Sequence, residues 1–574
     1  MVRGEPEGLS PVLHANQIFT SWVFPHVESL ISYRKDHRPC LGSEAVSSAI
    51  MSSAPVYQSG VLHARRVMTM TPGSEAEAIW WQAGRIQLVG SASEVERAAP
   101  REVPRYDLPE ALVTPGFVDG HTHLAMWALN RGRVELAGLR TRAEVIARVA
   151  AARPRRGWVI GHGWDANGWS SPPHRLALDA VQPGPVYLDS LDVHTAWLNT
   201  AALAAARITR EVPDPFGGRI VRDDDGEPTG ILLERAVELV HPYLPPAGEQ
   251  ALDDALLEAQ TEAHRLGITG IHNVEGMEVL DAFHRLEAVG RLQLRVLFHP
   301  PVAALPRLIA GGIRSGQGAS GWVTIGGIKL FLDGSLGSRT AWMLQPYEGT
   351  RDRGMPTTGE EEAHTAMSTA ANAGIATTVH AIGDAAVRRA LDLTSDLPRL
   401  AIPHRIEHFQ CVHPYDVERA ASRGIVASMQ PAHLLTDIPL VDRHWGGRGR
   451  GAYAFRSLLR RGAALVFGSD VPVASLDPRE GMYAALERKG FDGAPASGWH
   501  PDERLEFSDA IGAYTLAPAR AAGAGQRRGT LAPGYDADLV AWGVDPAAEQ
   551  GDGEAFRRGQ VLLTVVGGAV VMQV

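Results

Sequence analysis

Leu112-Val113-Thr114-Pro115-Gly116-Phe117-Val118-Asp119-Gly120-His121-Thr122-His123 is an apolar strand-like run that ends in two histidines one residue apart. A strand alternates faces with a period of two, so both imidazoles point the same way. Two neutral imidazoles converging at a strand end suit a divalent metal. Asp119 falls on the same face, where its carboxylate would orient one of the rings. Alone, the pair is a weak signal and reads more readily as a polar barrel rim. The rest of the chain decides between the two.

Downstream, apolar strand-length runs alternate with helix-period stretches, as expected of parallel strands buried on both faces with crossover helices outside. Residues 360–373 place Ala363, Ala366, Met367 and Ala370 on one helical face, Gly374 suits a left-handed cap, and 375–379 follows as a strand. Asp384 then reads as the N-cap of a helix over 385–391. The same rhythm recurs at 252–266 with Gly267, and at 415–423 with Gly424. Repeated βα units without a glycine-rich dinucleotide turn favour an α/β fold of the (β/α)8 TIM-barrel type over a doubly wound sheet. Runs at 158–161, 186–191, 268–274 and 292–298 compete for the second and third barrel strands. The stretch 207–246, rich in Asp, Pro and Gly, reads as an insertion able to cover the barrel mouth.

Outside the barrel, 60–70 and 78–90 read as short antiparallel strands, and a similar pattern returns at 538–542 and 561–571 after the turn-rich 532–535. The two ends are expected to pair. The domain reading is therefore an N-terminal extension over 1–55, poorly ordered and with Met51 as an alternative start. A small β-sandwich follows from 56–114 plus 526–574, and a barrel over 115–525 carries the insertion.

The composition bounds the rest. Of 574 residues, 45% are hydrophobic and 21% charged, the balance of a folded globular protein. A net charge of -10 argues against a nucleic-acid binder, which would show a basic excess. Cys40 and Cys411 exclude a disulfide framework and a cysteine-based zinc knuckle, and fit a reducing cytoplasm. No apolar run reaches the length of a membrane span.

Further polar residues close other apolar strands. Lys329 lies inside 325–332, an otherwise apolar run; an unpaired buried ammonium is costly, so it calls for an ion pair with Asp333, a snorkelling stem, or conversion by carbon dioxide to a carbamate. His380 ends 377–380, His408 lies in 405–409, and Asp470 closes 464–470. Two histidines, a lysine, two more histidines and an aspartate thus appear in order, each near the C-terminal end of its own strand. That face of a parallel barrel is where catalytic groups gather.

This arrangement resembles the amidohydrolase superfamily, and its wording resembles the amidohydrolase family 3 branch, with its N-substituted formamide deformylase-like members. The matching stretches are 115–123, 329–340, 379–384, 405–408, 468–470 and 533–540. The resemblance implies that His121 and His123 hold one divalent metal, with zinc the default for imidazole and oxygen ligands, that His380 and His408 hold a second, and that carboxylated Lys329 bridges them. It further implies Asp470 as metal ligand and proton carrier. The implied reaction is hydrolysis of a non-peptide C–N bond in an amide, formamide or cyclic amide by a metal-bound hydroxide. Trp164, Asp165, Asp333, Ser335 and Arg339 are candidate substrate-binding residues. The motifs Gly161–Asp165 and Asp192–Trp197 sit in expected mouth loops, and Gln430, His433 and Trp445 are further candidates to face the site.

Two other readings stand beside this one. A metal-dependent esterase, lactonase or phosphotriesterase would use the same barrel, and a non-catalytic interaction protein would keep the site for folding alone. The expected partner is a small-molecule substrate, with no nucleic acid or membrane; the protein is placed in the cytoplasm, and a homodimer is left open.

Overall fold

A computed structural model describes residues 58–71, 73, 76–318, 321–545 and 553–574. The expected 1–55 extension and the Met51 start lie outside the described residues. The run that opens the reading is not one strand. Arg105–Pro115 and Phe117–Thr122 belong to different sheets, and the chain passes between them at Gly116. A Cβ on Gly116 would lie 2.2 Å from Thr269 Oγ1, so the neighbouring strand can approach only a glycine.

Phe117–Thr122, Ile268–Val274, Arg295–His299 and Val323–Ile325 form a four-stranded parallel sheet. Ile328–Phe331, Thr377–Ala381, Arg405–His408, Val426–Met429 and Ala464–Phe467 form a five-stranded parallel sheet. Parallel bridges Pro301↔Lys329 and Thr122↔Val471 link the two on both sides. Helices such as Glu249–Arg265, Glu360–Asn372 and Asp384–Ser395 connect successive strands. The result is a mixed α/β, TIM-barrel-like fold. Helix Glu360–Asn372 buries Ala363, Met367, Ala370 and Ala371, and Gly374 follows at φ 77°. Asp384 departs from its expected role: Gly383 is the N-cap, and the Asp384 carboxylate instead accepts from Leu344 N at 2.8 Å.

Residues 60–115 and 539–573 contribute to one hydrogen-bonded sheet of seven strands. Leu539–Trp542 runs antiparallel to Arg105–Pro115, and buried Trp542 Nε1 donates to Thr114 Oγ1 at 3.0 Å. Gly60–Val67 pairs antiparallel with Ala78–Gln82 but parallel with Arg105–Pro115, so the sheet is mixed.

The insertion is larger than expected. Val134–Glu135, Val159–Trp164, Val186–Ser190, Thr195–Leu198, Gly218–Arg222 and Pro228–Glu234 make a six-stranded mixed sheet of their own. The runs near 158–161 and 186–191 therefore do not supply barrel strands; Ile268–Val274 and Arg295–His299 do. An apolar run buried in an inserted sheet has the same sequence pattern as one buried in a barrel, so periodicity could not separate them.

Candidate metal centre

The centre is built at the C-terminal ends of the parallel strands. His121 is the penultimate residue of one strand, Phe117–Thr122, and His123 follows as the residue before helix Leu124–Asn130. Asp470 lies just beyond Ala464–Phe467, its backbone N–H donating to His121 O at 2.8 Å. Its Oδ1 is 3.3 Å from His121 Nε2 and 3.2 Å from His123 Nε2. Its Oδ2 faces a second pair, 3.9 Å from both His408 Nδ1 and His433 Nε2. One carboxylate thus stands between two pairs of imidazoles. His380 joins them with its ring 4.4 Å from that of His408, and its Nε2 donates to Gly334 O at 3.1 Å.

The ring of His121 is set by Glu407, whose Oε2 lies 2.5 Å from Nδ1, and Glu407 is paired with Arg405. A carboxylate at Nδ1 holds the proton there and leaves Nε2 with its lone pair. That Nε2 is buried and has no hydrogen-bond partner. Burial above all, then the Lys329 charge, lowers the His121 pKa. Burial and neighbouring charges hold His380 and His408 well below the usual histidine range. Neutral imidazoles with free lone pairs are what a divalent cation needs. Burial works against ionisation of Asp470, yet His121, the His123 hydrogen bond and His408 keep it well below the usual carboxylate range. The donor set fits a divalent metal. His121, His123 and Asp470 each bring one ligand atom within 4.8 Å of the others, and so do His408, His433 and Asp470.

Lys329 is 4% exposed, and burial pushes its pKa down to about 8. It does not pair with Asp333. That carboxylate instead accepts from Trp342 N, Ile382 N and Gly383 N at 2.8 to 3.0 Å, and ties the loop after the lysine strand to the end of the His380 strand. Lys329 Nζ lies over the Phe331 ring at 4.6 Å and interacts with Glu407 and Asp470.

Several expectations change. Asp119 does not orient a ring: its Oδ1 accepts from His121 N and Ser469 N, at 3.1 and 2.9 Å, and clamps two strand ends together. Glu407 orients the ring, and its signal was an Arg405/Glu407 pair two apart on one face of a buried strand. Trp164 is packed inside the inserted sheet between Trp169 and Trp197, with Nε1 donating to Leu188 O at 2.9 Å, so it is core rather than substrate wall. Asp165 is exposed and closes its own loop onto Asn167 N. Asp333 positions loops, Ser335 donates to Asp192 at 2.6 Å, and Arg339 is exposed. Trp445 is fully buried in the main core, while Gln430 accepts from His408 Nδ1 at 2.9 Å. His194 enters the site from the insertion, its ring 5.2 Å from His380. Glu234, which holds it, carries no sequence signal.

Parallel strands delivering histidines and an aspartate to one mouth define a metal-dependent hydrolase. Residues 106–572 match the amidohydrolase family, and the chain belongs to that family. It is 31% identical over 535 residues to the YtcJ protein of Bacillus subtilis (strain 168), covering 89% of this chain and 99% of that one. It is 29% identical over 522 residues to the N-substituted formamide deformylase of Arthrobacter pascens, covering 86% and 94%. Among solved structures, an uncharacterized metal-dependent hydrolase from Pyrococcus horikoshii superposes with a TM-score of 0.69 at 26% identity, covering 85% of this chain and 98% of that one. Among the described residues, no helix is long and apolar enough to cross a membrane.

Proposed function

We propose that the protein hydrolyses a non-peptide C–N bond, in an amide, formamide or cyclic amide, on a (β/α)8 barrel with zinc as its metal. The observation that carries this is Asp470, ionised and 3.2 to 3.3 Å from two histidine nitrogens, one of them buried without a partner. His121, His123 and Asp470 would hold one cation, His380 and His408 another, with Lys329 as a carbamate between them. A divalent cation at this position supplies water activation at neutral pH and polarisation of a carbonyl.

The chain's own groups do the rest. Glu407 and Gln430 keep the ligand rings in one orientation, which removes reorganisation from the reaction. Asp470, held ionised, takes the proton of the attacking water and returns it to the leaving nitrogen, so one carboxylate serves as base and then acid. The lowered Lys329 pKa raises the share of the neutral amine, the form that adds to carbon dioxide. The likeness to a formamide deformylase supports the choice of bond.

Zinc analysis and a substrate panel test the reading. Asp470→Asn is expected to stay folded while turnover falls by about 10³-fold or more, and Lys329→Ala to lose bound zinc. Full turnover in the first variant would remove the proton role of Asp470, and unchanged zinc in the second would remove the bridge. Turnover confined to esters or phosphotriesters would overturn the C–N assignment.

A further inference from the structure

Gly334-Ser335-Leu336-Gly337-Ser338-Arg339-Thr340, the loop after the Lys329 strand, is a socket for the inserted sheet. A Cβ on Gly334 would sit 2.0 Å from Glu234 Oε1, and one on Gly337 2.8 Å from Asp192 Oδ2. The two glycines leave room for two carboxylates of the insertion. Three hydroxyls of the same loop bind those carboxylates. Ser335 Oγ and Ser338 Oγ donate to Asp192 Oδ2 at 2.6 and 2.7 Å, and Thr340 Oγ1 donates to Glu234 Oε1. Hydrogen bonds to ionised acceptors are the strong ones, so the insertion is fastened to this loop rather than resting on it.

What the lock presents is His194. Its Nδ1 is 2.7 Å from Glu234 Oε2, and its ring lies beside His380. The side chain keeps 15% exposure, and among the described residues nothing takes its Nε2. The backbone on both sides is strained: Val193, a β-branched residue, has φ 54°, and Glu234 has φ 54°. Left-handed conformations in such residues are costly and persist where surrounding contacts impose them, commonly at ligand sites.

We propose that His194 is a substrate-contacting, specificity-determining residue that hydrogen-bonds a carboxamide-like group of the substrate beside His380, with Glu234 and Asp192 as its positioning residues. This rests on the hydrolase reading above for the reaction and on the lock for the geometry. A carboxamide offers both a carbonyl and an N–H, so it satisfies Nε2 in either protonation state. An isopropyl group of the same shape desolvates Nε2 and leaves it unpaired, which is how buried polar groups discriminate.

The test uses the full, zinc-loaded chain and two hydroxamates of one shape, a succinamoyl hydroxamate ending in a carboxamide and its isopropyl-ended isostere, titrated by calorimetry. Turnover of the matching anilides is followed in parallel. The wild type is expected to prefer the carboxamide by about tenfold or more. His194→Leu should abolish that preference with zinc content unchanged, and Glu234→Gln should weaken it in the same direction. His194→Asn replaces the leucine variant if that chain does not fold. A preference that survives in the His194 variant, no preference in the wild type, or zinc lost together with the preference would each overturn the proposal. Preference without turnover of either anilide sinks the C–N reading and leaves His194 in place; turnover without preference does the reverse.

Discussion

Glu407 is a carboxylate with no access to water, and burial alone would make it neutral. Arg405 and His121 reverse that and hold its pKa well below the usual range. The negative charge so retained is what fixes the His121 tautomer and aims Nε2 at Asp470. Glu407→Gln keeps the shape but offers a weaker acceptor and leaves Arg405 without its counter-charge. Affinity for the divalent metal is expected to fall by about 10–100-fold, read by competition with a chelator; an unchanged affinity would show that the ring is held by packing alone. On sequence grounds Asp119 was the expected partner, and the structure assigns the role to Glu407. The contact that chose between them joins residues 286 apart in the chain.

Glycines at two element ends work for different reasons. Gly424 closes helix Val417–Arg423 at φ 68° with open space where a Cβ would be, so its role is conformational. Gly116 meets Thr269 at 2.2 Å, so its role is steric, at the pivot between two sheets. Gly424→Ala is expected to cost about 1 kcal/mol and Gly116→Ala about 1–3 kcal/mol or more. Thermal denaturation of the two variants checks the order, and a smaller loss at Gly116 would mean that the neighbouring strand gives way freely. The cap glycines 267, 374 and 424 were legible because a helical stripe followed by glycine has one simple reading. The pivot at Gly116 was not, because the apolar run continues through it without change of pattern.

Across the whole molecule, helix Glu249–Arg265 is held between the barrel and the terminal strands. His264 O accepts from Thr564 Oγ1 at 2.8 Å, and His264 Nε2 donates to Gln293 O at 2.9 Å. Burial lowers the His264 pKa from 6.5 to about 4. The unfolded chain takes up a proton below about 6.5 and the folded chain only near 4. The contribution is therefore complete above pH 6.5 and is lost as pH falls towards 4, by roughly 3 kcal/mol at most. His264→Gln should flatten that part of the profile. Urea unfolding at about pH 7.5 and 4.5 measures it, and an equal fall in variant and wild type would assign the acid loss elsewhere.

That His121, His123, Lys329, His380, His408 and Asp470 stand on or just beyond strands was readable in the sequence itself, because a period of two and a strand end are local properties. So were the βα rhythm and the pairing of the chain ends. Tertiary structure alone decided which apolar runs became barrel strands and which built the inserted sheet, and which carboxylate faces which imidazole. It alone brought Glu234 and Asp192 onto the 334–340 loop. Those outcomes depend on contacts between residues far apart in the chain, and neither periodicity nor composition carries information about them.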